Sequence, residues 1–423
     1  MHPRPLLSAL LRLKHGFNFS DDSFTTLSSW NLDNKNCCSW EGIMCRGATG
    51  HVISLNLSHL WISGWVDFQS IFHLHSLKKL DLTGNYFDVS PFPSGFNQLL
   101  SLTDLSLSSS RFTGQIPREI SRLTSLVSLH LTYDRYYEDS QLQILKLENP
   151  SIGALVQNLS SLRELSLDGV KISAHGTEWG QALFNALPRL RKFSLSYCKL
   201  SGPIHSSLSQ LPFLSELDLS NNSLSSALPK FVTSFSKLHY LDLSSNSFSG
   251  PIPSSYGNEL LNLEEIILSG NLLNGTIPSS LFSLPSLRRL DLRSNQLEGQ
   301  LGELHNASFS QLEDIYLDNN NLQGIIPSSI FKLRKLGVLS CPSNNFSGNV
   351  ELGLFMSLKN FWYLDLSDNS LSIDNPSNYS SSISFPPMIK FLKLRSCNIS
   401  EFPGHVVERS KERKISSDAL MAK

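Results

Sequence analysis

The sequence predicts an α/β solenoid, in which short parallel strands of successive repeats line a concave β-sheet. The pattern L-x-x-L-x-L-x-x-N-x-L recurs in about 14 copies, most of them 24 or 25 residues apart. In ten clear copies the residue ten positions after the start is Leu or Phe. A glycine and a proline follow at fixed offsets in several copies. Together these features favour a single repeating architecture over separate globular domains.

Each copy contributes one predicted strand. Its second half alternates between apolar and other residues, which is typical of a strand with inward leucines. Burying about seven apolar side chains contributes roughly 10–20 kcal/mol per copy. Ordering the backbone costs on the order of 24–48 kcal/mol. A copy therefore folds only against its neighbours. The copies begin at Val52, Leu77, Leu102, Leu126, Leu162, Leu190, Leu214, Leu238, Leu263, Leu287, Leu312, Leu336, Phe361 and Ile389.

The ninth position of a copy is most often asparagine. A buried amide there must bond to the backbone of its own turn and of the adjacent turn. We therefore predict a structural ladder rather than a binding site. Cys198, Cys397 and Ser110 occupy the same position in their copies. The asparagines are Asn85, Asn222, Asn246, Asn271, Asn295, Asn320, Asn344 and Asn369.

The pattern x-x-G-x-[IL]-P follows the strand, as in residues 114–117, 250–253, 275–278 and 324–327. Glycine supports a tight turn, and proline fixes φ and removes a donor. This variant is typical of the plant-specific subclass, and the chain resembles plant leucine-rich-repeat ectodomains. The resemblance implies a right-handed solenoid, a horseshoe or twisted superhelix, with a second strand on one flank and short helices outside.

Residues 1–51 are predicted to form an N-terminal cap. The leucines around Leu10, then Trp30 and the run from Cys37 to Cys45, resemble the cap of plant leucine-rich-repeat proteins. That resemblance implies a disulfide between Cys38 and Cys45, while Cys37 has no evident partner. Trp30 and Trp40 are expected to cover the first repeat, whose core would otherwise be exposed.

The remaining chain divides into a repeat array at 52–403 and a charged, non-repeat tail at 404–423, which we interpret as a truncated or misassigned end. The start offers no clear signal peptide, and no run of 18 apolar residues exists. We interpret this as an incomplete gene model.

The array contains a longer loop at about 133–161, whose segment 133–139 is aromatic and acidic. This loop is either a partner site or an unremarkable connection.

The segments 145–159 and 162–183 resemble the wilt-resistance (Verticillium wilt) branch of plant receptor-like proteins. The resemblance covers about residues 10–403. It implies a ligand-recognition ectodomain of a cell-surface immune receptor, which binds a pathogen-derived or endogenous protein or peptide. Signalling would pass through receptor-like kinase co-receptors, with the membrane reached only through a transmembrane helix missing from this chain. The alternative is a secreted soluble inhibitor of microbial wall-degrading enzymes, which shares this cap and repeat.

Other function classes are disfavoured. A net charge of −1 argues against nucleic-acid binding. The sequence contains no G-x-S-x-G, H-E-x-x-H or P-loop motif, and no Cys/His cluster with zinc-ligand spacing. We therefore predict no catalytic residue, no cofactor and no metal.

The predicted ligand contacts are outward residues on the concave strands. Aromatic residues and arginine are typical binding anchors, and adjacent Trp362 and Tyr363 are the strongest candidates. The positive charges of Arg288 and Arg289 lie between two acidic pairs, at 264–265 and 313–314. These side chains could therefore simply form ion pairs between neighbouring strands. The full set is Trp362, Tyr363, Arg288, Arg289, Arg293, Tyr316, Tyr240, Asp242 and Tyr197.

Nine N-x-[S/T] sequons are consistent with passage through the secretory route. Asn56 falls on the first concave strand, where a glycan would obstruct a ligand. The predicted glycosylation sites are Asn18, Asn56, Asn158, Asn221, Asn274, Asn306, Asn345, Asn378 and Asn398.

Overall fold

The chain forms two compact units, Met1–Asn222 and Ser223–Lys423. The computed structural model describes residues 3–19, 26–47, 50–133, 144–304, 307–374 and 389–399. In both units a short strand is followed by a turn, in most copies a second strand, and then a helical turn. The predicted leucine-rich-repeat solenoid is therefore confirmed for each unit.

The leucine pattern forms the main sheet of each unit. Consecutive strands pair in parallel, and each buries its central apolar residue because strand side chains alternate. Leu290, for example, is fully buried between Arg289 and Asp291. The first unit contributes His51–Asn56, Lys79–Asp81, Asp104–Ser106, Ser128–His130, Glu164–Ser166, Lys192–Ser194 and Glu216–Asp218. The second unit contributes Tyr240–Asp242, Glu265–Ile267, Arg289–Asp291, Asp314–Tyr316, Val338–Ser340, Tyr363–Asp365 and Phe391–Lys393.

A second set of strands flanks the main sheet, as the resemblance implied. In the second unit, neighbouring flank strands pair in parallel. In the first unit the flank pairing is shorter and interrupted. The flank strands of the first unit are Phe17–Asn18, Ser63–Gly64, Tyr86–Phe87, Ser90–Pro91, Phe112–Gln115, Leu145–Lys146 and Ser201–Gly202. Those of the second unit are Ser223–Ala227, Ser247–Pro251, Leu272–Gly275, Gln296–Gln300, Asn321–Gly324, Asn345–Glu351, Ser370–Asp374 and Asn398–Ile399.

Helical turns close the repeats, and several begin just after the proline of the G-x-[IL]-P pattern. Pro117, Pro253 and Pro327 each occupy the N-cap position, where proline is compatible with an extended φ/ψ. The α-helices are Pro3–His15, Phe68–Phe72, Ile152–Val156, Gly176–Ala186 and Ser254–Glu259. The 3₁₀ turns are Cys37–Ser39, Phe96–Gln98, Arg118–Arg122, Ser206–Gln210, Lys230–Ser234, Ser279–Ser283, Ala307–Phe309, Ser328–Lys332 and Leu352–Ser357.

The predicted asparagine ladder is confirmed. Asn320 Nδ2 donates to the carbonyl oxygens of Leu292 (2.9 Å) and Leu317 (3.0 Å). Its Oδ1 accepts from the Leu297 backbone N–H at 3.1 Å. Each such amide therefore links two turns by hydrogen bonds that are sheltered from water. Where asparagine is missing, Cys198 Sγ donates to the Leu167 carbonyl instead.

The cap segment lies at the start of the first unit. Helix Pro3–His15 buries Leu10 and Leu13, and the strand Ile43–Arg46 pairs antiparallel with His51–Asn56. This antiparallel strand covers the edge of the main sheet that the first repeat would otherwise leave unpaired.

Trp30 and Trp40 are both buried, and their rings stack with centroids 5.5 Å apart. Cys38 and Cys45 form the disulfide that the resemblance implied, with Cα atoms 5.4 Å apart. Cys37 is buried and not disulfide-bonded. The cap therefore supplies the packing that the first repeat needs.

Part of the predicted long loop has regular structure. The strand Leu145–Lys146 and the helix Ile152–Val156 lie within it, so residues 144–161 form a modified repeat rather than a plain loop. Of the aromatic-acidic segment, only Tyr133 is described. The rest of that segment and the predicted tail at 404–423 lie outside the described residues.

Candidate ligand-binding surface

Most of the predicted ligand residues lie on or beside the strands of the main sheet. Two rows of side chains cross the strands of the second unit, because the parallel strands pair in register. One row runs Arg289, Asp314, Val338, Tyr363 and Phe391, and the other runs Asp291, Tyr316, Ser340, Asp365 and Lys393. Six of the predicted ligand residues, those from Arg288 to Tyr363, lie on or immediately beside these rows.

Three aromatic rings, Trp362, Tyr363 and Phe391, form an aromatic patch at one end of these rows. Their ring centroids are separated by 5.8 Å, 6.0 Å and 6.0 Å. Trp362 and Phe391 are each 38% exposed. Clustered exposed rings are unfavourable in water and typical of interaction sites. The sequence analysis missed Phe391, although it occupies the third position of its own copy.

The Trp362 indole has room because the neighbouring copy carries Gly337. A Cβ atom on Gly337 would lie 3.1 Å from Trp362 Nε1. Beside the indole is a shallow cavity of about 380 Å³. Its lining residues are Glu313, Asp314, Lys335, Gly337, Asn360 and Trp362. The patch therefore borders a polar recess rather than a continuous apolar surface.

A lysine stands beside the aromatic patch. Lys393 Nζ donates to the Tyr363 hydroxyl at 3.1 Å, lies 3.4 Å from Asp365 Oδ2, and lies 5.4 Å from the Tyr363 ring centroid. The hydrogen bond to Tyr363 is the main cause that raises the pKa of Lys393, and the nearby Asp365 carboxylate adds to it. The amine is therefore held charged and fixed in direction. Sequence analysis missed this residue as well.

An arginine–aspartate–tyrosine network occupies the adjoining strands. Arg293 makes a bidentate contact with Asp291, through Nε at 2.9 Å and Nη2 at 2.6 Å. The guanidinium carbons of Arg293 and Arg289 lie 4.7 Å and 5.3 Å from the Tyr316 ring centroid. Asp291 is fully buried and supplies the countercharge. The contact with Asp291 raises the pKa of Arg293.

The predicted lateral ion pairs form only in part. Arg288 lies 3.2 Å from Glu313, as expected. The Nη2 of Arg289 instead lies 3.5 Å from Asp291 of its own strand. This difference arises because a buried carboxylate attracts a guanidinium more strongly than an exposed one does.

Near this network, Arg289 Nε and Asp318 Oδ1 are buried and have no hydrogen-bond partner among the described residues. Burial is the main cause that raises the pKa of Asp318, while a hydrogen bond with the Ser340 side chain and the charge of Arg293 oppose it. Buried polar atoms are nearly always paired in folded proteins.

Asp242 lies in register with Asp291 on the predicted face, but its side chain is buried. It is only 9% exposed, and its Oδ1 accepts hydrogen bonds from the Ser244 N–H (2.8 Å) and hydroxyl (2.6 Å). Burial raises the pKa of Asp242. The carboxylate folds back onto its own turn, as short polar side chains commonly do, so Asp242 is a turn-stabilising residue. Tyr240 remains on the strand, with its hydroxyl 3.4 Å from Asp242.

Tyr197 also differs from its prediction. It belongs to the first unit and lies beyond the end of its strand Lys192–Ser194, in a turn with φ +57°. Its ring is 44% exposed. The pattern placed it near the strand, but the chain has already turned away at this position.

Six of the seven described sequon asparagines are exposed, and Asn221 is half-buried. Asn56 Oδ1 accepts from the Ser58 hydroxyl at 2.8 Å. Asn306 and Asn378 lie outside the described residues, and glycan attachment remains a prediction at all nine sites.

Family models support the repeat and the cap. A leucine rich repeat N-terminal domain matches residues 7–46, and leucine rich repeats match residues 236–297. Further repeats match residues 101–123, 189–211, 213–235 and 311–333. The chain is a leucine-rich-repeat protein with an N-terminal cap. Leucine-rich-repeat receptor-like proteins and ectodomains are non-enzymatic binding modules.

The curated relatives are plant receptor-like proteins. The chain is 35% identical over 167 residues to Receptor-like protein 7 of Arabidopsis thaliana, covering 39% of this chain and 16% of the relative. It is 33% identical over 208 residues to Receptor-like protein EIX1 of Solanum lycopersicum, covering 46% and 18%. The chain thus matches less than a fifth of the length of these relatives. The assignment to the wilt-resistance branch stays a prediction.

Solved receptor structures share the fold. One is the Arabidopsis receptor kinase HAESA in complex with the peptide hormone IDA and the co-receptor SERK1, with a TM-score of 0.69 and 27% identity over 93% of this chain and 70% of that chain. A TDR receptor matches with a TM-score of 0.55 and 26% identity, over 82% and 68%. Within the described part of this chain, no helix is long and apolar enough to cross a bilayer. The same residues contain no cluster of three or more His, Cys, Asp or Glu suited to a metal ion.

Proposed function

We propose that this chain is part of the ligand-recognition ectodomain of a plant cell-surface immune receptor-like protein. In this proposal the outward main-sheet face of the second unit binds a protein or peptide, outside the cell. Receptor-like kinase co-receptors then carry the signal. The receptor names of the relatives favour this function over the soluble-inhibitor alternative.

The observation that carries the proposal is the aromatic patch beside fixed charges. Trp362 and Phe391 supply exposed apolar area, while Lys393 offers a charged donor at the edge. Binding energy in protein interfaces concentrates in such aromatic and charged anchors. The HAESA structure, which holds a peptide hormone, supports a peptide as the class of ligand.

Peptide selection on the purified protein tests this function. Peptides enriched from a random display library are titrated against the wild type and against Trp362→Ala and Phe391→Ala. We expect each substitution to weaken binding about 30-fold, because central aromatic anchors contribute about 2 kcal/mol or more. Phe309→Ala is the matched control, since Phe309 is 78% exposed on a 3₁₀ turn away from the sheet.

Circular dichroism establishes that each variant is folded. Selected peptides that bind both patch variants as tightly as the wild type would show that the patch is not the binding surface. Peptides that lose affinity only for Phe309→Ala would move the site to the opposite side of the repeat.

A further inference from the structure

The recess beside Trp362 exists because one side chain is missing from a row. Glu313, Gly337 and Trp362 occupy the second positions of three consecutive copies. The Gly337 N–H donates to Glu313 O at 2.8 Å, and the Trp362 N–H donates to Gly337 O at 2.9 Å. Because neighbouring strands lie about 4.8 Å apart, Glu313 and Trp362 stand on strands roughly 10 Å apart with only glycine between them. All three residues line the cavity of about 380 Å³.

The backbone does not require glycine at this place. The φ of Gly337 lies outside the left-handed region, so its conformation is open to any residue. No other copy has glycine at its second position. A Cβ atom on Gly337 would lie 3.1 Å from Trp362 Nε1 and 3.3 Å from Trp362 Cδ1. The glycine therefore serves the space above it, which even a methyl group would narrow against the indole.

Two carboxylates stand on the side of the recess away from Trp362. Glu313 Oε1 lies 3.2 Å from Arg288 Nη2, in a pair whose side chains are both well exposed. Asp314 is half-buried, and burial is the main cause that raises its pKa. The charge of Arg289 opposes this rise, although no ion pair joins Arg289 to Asp314 among the described residues. A cation placed beside Asp314 would offset the cost of burying its charge.

The recess also contains a lysine, whose amine is already engaged. Lys335 Nζ donates to Gln311 Oε1 of the preceding copy. Within the described part of the chain, no ion pair links Lys335 to either carboxylate of the recess. The Asp314 carboxylate is therefore not neutralised by the amine that stands closest to it along the cavity wall.

An indole facing carboxylates across a gap matches a long basic side chain. Arginine and lysine bring an aliphatic stem, which packs on apolar surface, and a charged head, which pairs with a carboxylate. A cation also gains from contact with an indole ring. An apolar side chain would cover Asp314 without providing a partner, and an acidic one would be repelled.

From this geometry we propose that the recess selects peptide ligands by one basic side chain, inserted over Gly337 between the Trp362 indole and the Asp314 carboxylate. This inference rests on the proposed function, because it specifies which peptides the second unit binds. The remaining residues of the peptide lie on the aromatic patch. The patch thus supplies apolar contact area, and the recess supplies the choice among sequences.

Selection from a library of random seven-residue peptides, displayed on phage and offered to the full chain, tests this proposal. We expect arginine or lysine to be enriched at one position. The enriched peptide is then titrated calorimetrically beside a neutral copy, in which citrulline replaces arginine or norleucine replaces lysine. The neutral copy should bind about tenfold more weakly or worse, since a charge-assisted hydrogen bond is lost.

Two variants assign this preference to the recess. Asp314→Asn keeps the size of the side chain and removes its charge. It should weaken the basic peptide about tenfold and change the neutral copy little, as a direct pair requires in a double-mutant cycle. Gly337→Val fills the recess with a residue suited to strands. It should reduce the difference between the two peptides to about twofold or less.

Glu265→Gln is the matched control. Glu265 lies in the same row as Asp314, two strands away, and does not line the recess. This variant should prefer the basic peptide as strongly as the wild type does. Circular dichroism checks that all variants are folded, and Asp314→Asn suffices for the test should Gly337→Val fail to fold.

Each alternative outcome has a definite meaning. Equal affinity of the basic and neutral peptides for the wild type would overturn the proposal. A loss in Glu265→Gln as large as that in Asp314→Asn would replace the recess with general attraction of charge. Selected peptides that depend on Trp362 and Phe391 but show no basic preference would remove the recess proposal and leave the proposed function standing. Failure to select any peptide sensitive to Trp362→Ala would count against the proposed function, and the recess proposal would fall with it.

Discussion

Replacing one ladder asparagine should destabilise the second unit far more than replacing its neighbour. Asn320 is buried and Asn321 is exposed. In Asn320→Ala, the Leu297 N–H loses the partner that now lies 3.1 Å away. The Leu292 and Leu317 carbonyls each keep one amide donor, from Asn295 and Asn344. The main cost is therefore one orphaned buried donor.

The magnitude follows from these contacts. An orphaned buried donor costs about 1–3 kcal/mol, and the two lost donor bonds add roughly 0.5–1.5 kcal/mol each. Partial relaxation reduces the sum to about 2–4 kcal/mol, which corresponds to roughly 30- to 1000-fold in the local opening equilibrium.

Native-state hydrogen exchange measures this opening directly. The peptide that contains Leu297 should exchange faster by that factor in Asn320→Ala, and urea should unfold the variant at lower concentration. Asn321→Ala should change either quantity by less than about 0.5 kcal/mol. Equal exchange rates in the two variants would refute the view that the amide ladder stabilises the turns.

Two further perturbations test buried groups. Because burial raises the folded-state pKa of Asp242, its contribution to stability is present below its ordinary pKa and is lost as pH rises through the raised value. The melting temperature of the wild type relative to Asp242→Asn should therefore fall as pH rises above the ordinary aspartate pKa of 3.8, and a difference that stays constant as pH rises would contradict the assignment. Gly257→Ala should destabilise by about 1–3 kcal/mol, because its Cβ would lie 2.5 Å from the Ser280 backbone carbon. Gly353→Ala, whose Cβ would meet no described atom within 4 Å, is the matched control in the same denaturation experiment; similar unfolding midpoints would show that the repeats can shift to accept the methyl group.

The outward face was less predictable than the core. Trp362 and Tyr363 lie on the face that the pattern assigned to them, yet Asp242 is buried and Tyr197 has left the strand. Phe391 and Lys393 were not predicted as ligand residues, because their place in the surface depends on contacts with aromatic rings of the preceding copy. Residues within one copy can be placed by their position in the pattern, whereas contacts between copies depend on side-chain direction and length.

By itself, the sequence determined the repeat, the inward leucines, the asparagine ladder and the cap. Each of these is dictated by burial at a fixed period, so the same position in every copy meets the same surroundings. Only the tertiary structure decided which outward side chains meet. The stack of copies brings Trp362 against Gly337, buries Asp291 under two guanidinium groups, and aligns Trp61 with Tyr86. No periodic constraint fixes these outward residues, so their environment arises only from the neighbours that stacking supplies.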